Sequence, residues 1–142
     1  MNYTHLFLLY FISSCSSLTF DQYKEKYGLA KELIIDRDYI TASQLISKTM
    51  PQCYTVQQSS DGIIHAVDLK VEKDKELARV YYIVKNNPVY PDQIIYYVEL
   101  QKLRDDQSKA RVYAKGDVFR STESFVKNIE AWTADNTKAC FK

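Results

Sequence analysis

Two short runs limit what this chain can fold into. Ala78-Arg-Val-Tyr-Tyr-Ile-Val84 and Ile94-Ile-Tyr-Tyr-Val-Glu-Leu100 are built largely from tyrosine and β-branched residues, which suit a pleated, half-buried surface. Between them stands Asn86-Asn-Pro-Val-Tyr-Pro91, a segment too interrupted to be anything but a turn or loop. The runs therefore read as neighbouring antiparallel strands, with the other elements laid against them.

The same period of two extends on both sides. Cys53-Tyr-Thr-Val-Gln-Gln58 reads as a short first strand, and Ser59-Ser-Asp-Gly62 as a hairpin turn. Ile63, His65, Val67, Leu69 and Val71 then alternate with Asp68, Lys70 and Glu72, a strand with one buried face. Lys73-Asp-Lys75 turns the chain, and Arg104-Asp-Asp-Gln-Ser108 turns it again into a strand carrying Ala110, Val112, Ala114 and Val118. Five strands joined by short links predict an antiparallel meander.

Register follows from complementarity, since a slip of one residue would turn every side chain to the wrong face. Pairing Val80 with Val98 sets Ala78 against Leu100, Tyr82 against Tyr96 and Val84 against Ile94 on one face. On the other it sets Arg79 against Glu99, Tyr81 against Tyr97 and Ile83 against Ile95. Asp68 is expected beside Arg79, Ile64 beside Ile83, and Arg111 and Tyr113 near Glu99. The second face is thus polar at one end and apolar and aromatic at the other. Tyr81, Ile83, Ile95 and Tyr97 form its candidate binding patch, to be covered by a helix, a partner or a ligand.

Helices flank the sheet. Thr19-Phe-Asp-Gln22 has the form of a capping box, and Phe20, Tyr23, Tyr27, Ala30, Leu33 and Ile34 follow at helical spacing. A second helix is expected from Asp38, a cap, through Ile40, Ala42, Leu45, Ile46 and Thr49, limited by Pro51. At the other end Ser121 caps a helix whose stripe is Phe125, Ile129 and Trp132, with the tryptophan packed on the sheet. The predicted fold is α+β: two N-terminal helices, a five-stranded antiparallel meander and a C-terminal helix packed on the sheet.

Before these elements stands Leu6-Phe-Leu-Leu-Tyr-Phe-Ile12, followed by Ser13-Ser-Cys-Ser-Ser17. The apolar run is far short of the roughly 20 residues of a membrane-spanning helix. It matches the hydrophobic core and small-residue cleavage region of a signal peptide, although His5 stands where a basic residue is usual. Ile12-Ser-Ser-Cys15 resembles the lipobox of bacterial lipoproteins, an aliphatic residue and two small residues before a cysteine. That resemblance implies lipidation at Cys15, a signal peptide over residues 1–14, and a mature domain over 15–142. Ser16 then implies the periplasmic side of the outer membrane. The competing reading is ordinary cleavage as late as residue 17, giving a periplasmic or secreted protein.

With Cys15 removed or lipidated, Cys53 and Cys140 remain, and an oxidising compartment pairs them in a disulfide. Catalytic chemistry is sparse. His65 is the one histidine after the leader and falls on an inward strand position, where a hydrogen-bonded core role is usual. No glycine-rich phosphate loop, serine elbow or metal-ligand spacing stands in the sequence, so no cofactor or metal is expected. A net charge of +1 gives no footprint for nucleic acid. The sequence therefore predicts a non-enzymatic envelope protein, a protein-binding accessory or inhibitor whose partner is another envelope protein. The alternative is a module that binds a small apolar ligand or lipid in a pocket between sheet and helices.

Overall fold

The computed structural model describes residues 18–54, 64–85, 92–115 and 121–141. The leader with Cys15, the stretch 55–63 and the segments 86–91 and 116–120 lie outside the described residues. The fold is α+β, with three α-helices and a five-stranded antiparallel sheet among the described residues. In chain order the elements are α1 (Phe20–Tyr27), β1 (Lys31–Ile35), α2 (Tyr39–Tyr54), β2 (Ile64–Glu72), β3 (Leu77–Lys85), β4 (Gln93–Arg104), β5 (Gln107–Ala114) and α3 (Thr122–Thr133). A single 3-10 turn, Lys73–Lys75, joins β2 to β3.

The sheet order is β1-β5-β4-β3-β2. The last four strands run up and down as expected, but the fifth comes from a different place. It is β1, on the far side of β5; of the stretch expected as a first strand, residues 55–58 lie outside the described residues. Cys53 and Tyr54 instead form the last turn of α2.

Both departures have local causes. The capping box at Thr19 forms, with Gln22 N–H donating to Thr19 Oγ1 and Thr19 N–H to Gln22 Oε1. The helix it starts then stops at Gly28, whose φ of 69° and ψ of 173° lie in a region open essentially to glycine alone. Leu33 and Ile34 leave the helical stripe and take the alternating pattern of β1. Pro51 does not end α2 but sits inside its last turns, exposed. A proline there removes one N–H from the ladder, and the loss is offset by burial of Cys53 and Tyr54 just beyond it.

Register agrees with the charge and ring complementarity over most of β3 and β4: Ala78 pairs with Leu100, Arg79 with Glu99, Val80 with Val98 and Tyr81 with Tyr97. Glu99 also pairs with Arg111, and Tyr97 with Tyr113. Two corrections apply. Between β2 and β3 the pairing lies two residues from expectation, with Asp68 opposite Tyr81 and Ala66 opposite Ile83; the faces are unchanged. Between β3 and β4 a bulge follows Tyr82, so that Ile83 pairs with Ile94 and not with Ile95. Ile95 is the extra residue, and it turns with Tyr96 into the main core.

That core lies between the sheet and the layer of α2 and α3. Ile46, Met50, Phe125, Ile129 and Trp132 are fully buried against Val80, Tyr96, Val98, Leu100 and Val112. Ser121 caps α3 through Ser124 N–H, and Phe125, Ile129 and Trp132 fall on its buried side as their spacing predicts.

The C-terminal tail is laced to both helices. Trp132 Nε1–H donates to the Ala139 carbonyl at 2.7 Å, and Phe141 N–H donates to Asn128 Oδ1 at 2.7 Å. Asn128 in turn donates to the Tyr54 hydroxyl. Cys140 is thereby held beside the end of α2, where it is disulfide-bonded to Cys53 with Cα atoms 5.4 Å apart, 87 positions along the chain. A cross-link over so long a loop constrains the unfolded chain strongly. Replacing both cysteines, Cys53→Ser with Cys140→Ser, is expected to lower stability by about 2–5 kcal/mol. Urea denaturation of the variant beside oxidised and reduced wild type measures it; equal midpoints for all three would contradict the assignment.

Candidate functional site

The outer face of the sheet, opposite α2 and α3, carries most of the residues singled out in the sequence. Its apolar half gathers Tyr23, Ile94, Tyr97 and Tyr113 in a second buried cluster, with Phe20, Tyr27, Tyr81 and Ile83 packed around it. α1 is its roof. Phe20 meets Tyr81 edge-on at 4.9 Å and stacks on Tyr97 at 5.3 Å, and Tyr97 stacks on Tyr113 at 5.4 Å. The Tyr23 hydroxyl donates to the Ile95 carbonyl at 2.5 Å, so the bulge in β4 is also the point where α1 is fastened.

The four candidate binding residues therefore part company. Tyr97 is 0% exposed under α1, and Ile95 belongs to the opposite face. Tyr81 and Ile83 stay half-buried beside exposed Ile64, near the outer corner of β2 and β3.

The polar half of the face centres on Glu99, which is buried. The Tyr97 hydroxyl donates to its carboxylate at 2.9 Å. Lys24 Nζ from α1 and Arg111 from β5 each lie 3.6 Å from it, and Arg79 Nε lies 3.5 Å away without hydrogen-bond geometry. Arg79 also pairs with Glu72 of β2. One carboxylate thus joins α1 to neighbouring strands through charge–charge attraction in a poorly solvated place. Removing one partner of such a buried set is costly because the rest stay desolvated.

His65 packs where its position in the strand implies. Its Nδ1 is 2.6 Å from the Tyr82 hydroxyl, whose one proton goes to the Tyr54 carbonyl, and desolvation holds the His65 pKa below the usual histidine value. His65 is half-buried at the inner margin of the sheet. Among the described residues no three His, Cys, Asp or Glu side chains gather to hold a metal ion, and no helix is long and apolar enough to cross a membrane.

A further site lies at the sheet edge. Among the described residues β1 has β5 as its only sheet neighbour, and Ile34 is 56% exposed, with Leu29 at 52% just before the strand. Between β1 and the end of α3 runs a depression of about 360 Å³ lined by Leu33–Arg37, Glu130 and Thr133–Asp135. Arg37 closes one side, donating from Nε to the Thr133 carbonyl at 2.8 Å and pairing with Asp135. Asp135 holds a left-handed φ of 66° there. The signal for this site is the run Leu33-Ile-Ile35, whose β-branched isoleucines close a strand that begins at Lys31, three positions after Gly28, and is hidden inside an apparent helical stripe.

Set against known proteins, the chain matches no family model, no curated protein and no solved structure.

Two outcomes check the outer face. Tyr97→Asp places a second carboxylate beside Glu99 and is expected to abolish the cooperative unfolding transition, whereas half-buried Tyr81→Asp keeps the fold at a cost of about 1–2 kcal/mol. Equal stabilities by denaturation would show that α1 does not seal the cluster. The second outcome concerns alkali. Burial, and for Tyr97 also the Glu99 carboxylate, raises the phenol pKa values of Tyr23 and Tyr97, and burial brings Tyr82 to about 12. The folded state keeps these protons while the unfolded state loses them near pH 10. Stability is therefore complete below about pH 10 and is lost as the pH rises further. Phenolate absorbance should rise together with loss of secondary structure; phenolates forming one by one in an intact fold would be inconsistent with the buried cluster.

Proposed function

We propose that the protein is exported and lipid-anchored at Cys15, and that it acts without catalysis as a protein-binding accessory or inhibitor in the cell envelope. The observation that carries the binding role is the open sheet edge. Both faces of the sheet are occupied at its centre, yet β1 presents Ile34 and Leu29 to solvent beside a shallow depression. Exposed apolar groups at an unpaired strand are an aggregation hazard unless a partner uses them.

The space between the sheet and the two helices is filled by Trp132, Tyr96, Phe125, Ile46 and Met50. That filling supports a surface-binding role over a small ligand held in a pocket. The disulfide supports export, since such bonds persist in oxidising compartments. An anchor at Cys15 would lie five residues before Phe20, a span of at most about 18 Å, and would hold α1 close to the membrane.

Two measurements test this reading. Mass analysis of the mature protein should find acyl chains on Cys15 at the N-terminus; an unmodified Cys15, or a start beyond it, removes the anchor. Affinity capture from envelope extracts should retain a protein on the wild type and lose it on Ile34→Glu, with the disulfide intact in both. Indistinguishable captures, or none, contradict the binding role at the edge.

A further inference from the structure

The main chain of β1 says more about what the edge takes. Ala30 N–H donates to the Val112 carbonyl, while the register places Lys31 opposite Val112. Two successive residues facing one mark a bulge at the start of the strand, so Lys31, Leu33 and Ile35 turn their amides and carbonyls toward β5. Glu32 and Ile34 then direct theirs away from the sheet. No backbone partner faces Glu32 or Ile34 on that side among the described residues. An extended segment laid there would continue the antiparallel ladder, the mode of recognition by strand addition.

The surroundings select its side chains. On the α3 side the added strand would cross the depression, whose lining carries three carboxylates, Asp36, Glu130 and Asp135, against one guanidinium, Arg37. Arg37 is already paired with Asp135, and Asp36 accepts a hydrogen bond from Gln107 at 2.9 Å. Glu130 is exposed on α3, and Leu33 and Ile35 supply apolar floor for an aliphatic stem. On the outer side the neighbour is exposed Ile34, while Glu32 is engaged by Lys109 at 3.1 Å and Arg111 at 3.3 Å. The two sides of the added strand thus meet different chemistry, acidic within and aliphatic without.

We infer that β1 is a docking edge for an extended segment of a partner protein in which basic and aliphatic residues alternate. The basic side chains enter the acidic depression beside α3, and the aliphatic ones cover Ile34. This inference rests on the protein-binding reading above and names the kind of partner it requires.

The test uses the full disulfide-bonded protein and a labelled heptapeptide alternating arginine with valine, followed by fluorescence anisotropy. Binding is expected, with at least a tenfold loss when glutamate replaces arginine in the peptide. Glu130→Lys, on an exposed helical position, should weaken the arginine peptide by a similar factor. N-methylation of peptide amides on the side facing β1 should abolish binding, and N-methylation of the other set should leave it. Ile34→Pro removes an outward N–H that the sheet does not use, so the fold survives while the peptide is lost. Equal affinity for both peptides, or binding unaffected by Glu130→Lys and by either methylation, overturns the inference. An envelope partner captured equally by wild type and Ile34→Pro also overturns it, but leaves the protein-binding role standing at another surface. If the peptide binds as expected and no envelope protein is captured, the edge chemistry stands and the envelope role fails.

Discussion

β4 is buried on both faces, and most of the architecture follows from that. From Ile94 to Leu100 every residue is shielded from water, although side chains of a strand alternate between faces. A strand with two apolar faces requires a layer on each side. α2 and α3 supply one, and eight-residue α1 supplies the other. The second layer is thin, so α1 covers the centre of the outer face and leaves its margins. Tyr81 and Ile83 remain half-buried at one margin, and Ile34 is exposed at the other.

What keeps so short a helix in place is a mixture of forces. Eight residues are too few for intrinsic helix stability in water. The capping box fixes the start and Gly28 the end, and the rings of Phe20 and Tyr23 provide apolar burial. Lys24 joins the Glu99 cluster, and Tyr23 reaches the Ile95 carbonyl at the β4 bulge, which also accepts from Lys115 N–H. The bulge thus has two effects. It redirects Ile95 into the main core, and it supplies an acceptor to a helix on the opposite face.

Much of this was legible in the sequence because the relevant residues have few ways to be satisfied. Arg79, Glu99 and Arg111 demand opposite charges across strands, which fixed the centre of the sheet. Phe125, Ile129 and Trp132 have a helical period that β-structure would waste. The paired cysteines followed once the third was set aside. Three features were hidden for equally physical reasons. Ile94 and Ile95 are identical neighbours, so pairing Ile83 with either satisfies hydrophobicity equally and the bulge leaves no trace in composition. Leu33 and Ile34 happen to fall in phase with the stripe of α1, and only the glycine before them separates strand from helix. Pro51 is a helix breaker by local preference, but burial of the residues after it outweighs that preference. The edge site leaves no mark of its own, because the same stripe assigns the residues of β1 to a helix.

The condition of β1 bears on how such a protein avoids pairing with everything it meets. Edge strands are usually protected by being short and by carrying charge. β1 is five residues long and begins with Lys31 and Glu32, so both devices are present. Yet Glu32 is drawn to Lys109 and Arg111 on the outer face, which leaves the outward main chain flanked by Ile34 and by the carboxylates near α3. Charge here filters more than it blocks. A flat apolar strand meets uncompensated carboxylates, and an acidic strand meets repulsion. Only a segment that brings positive charge to the α3 side and apolar surface to the other satisfies both. Because the ladder groups of Glu32 and Ile34 are few, affinity has to come from that side-chain match, and selectivity comes with it.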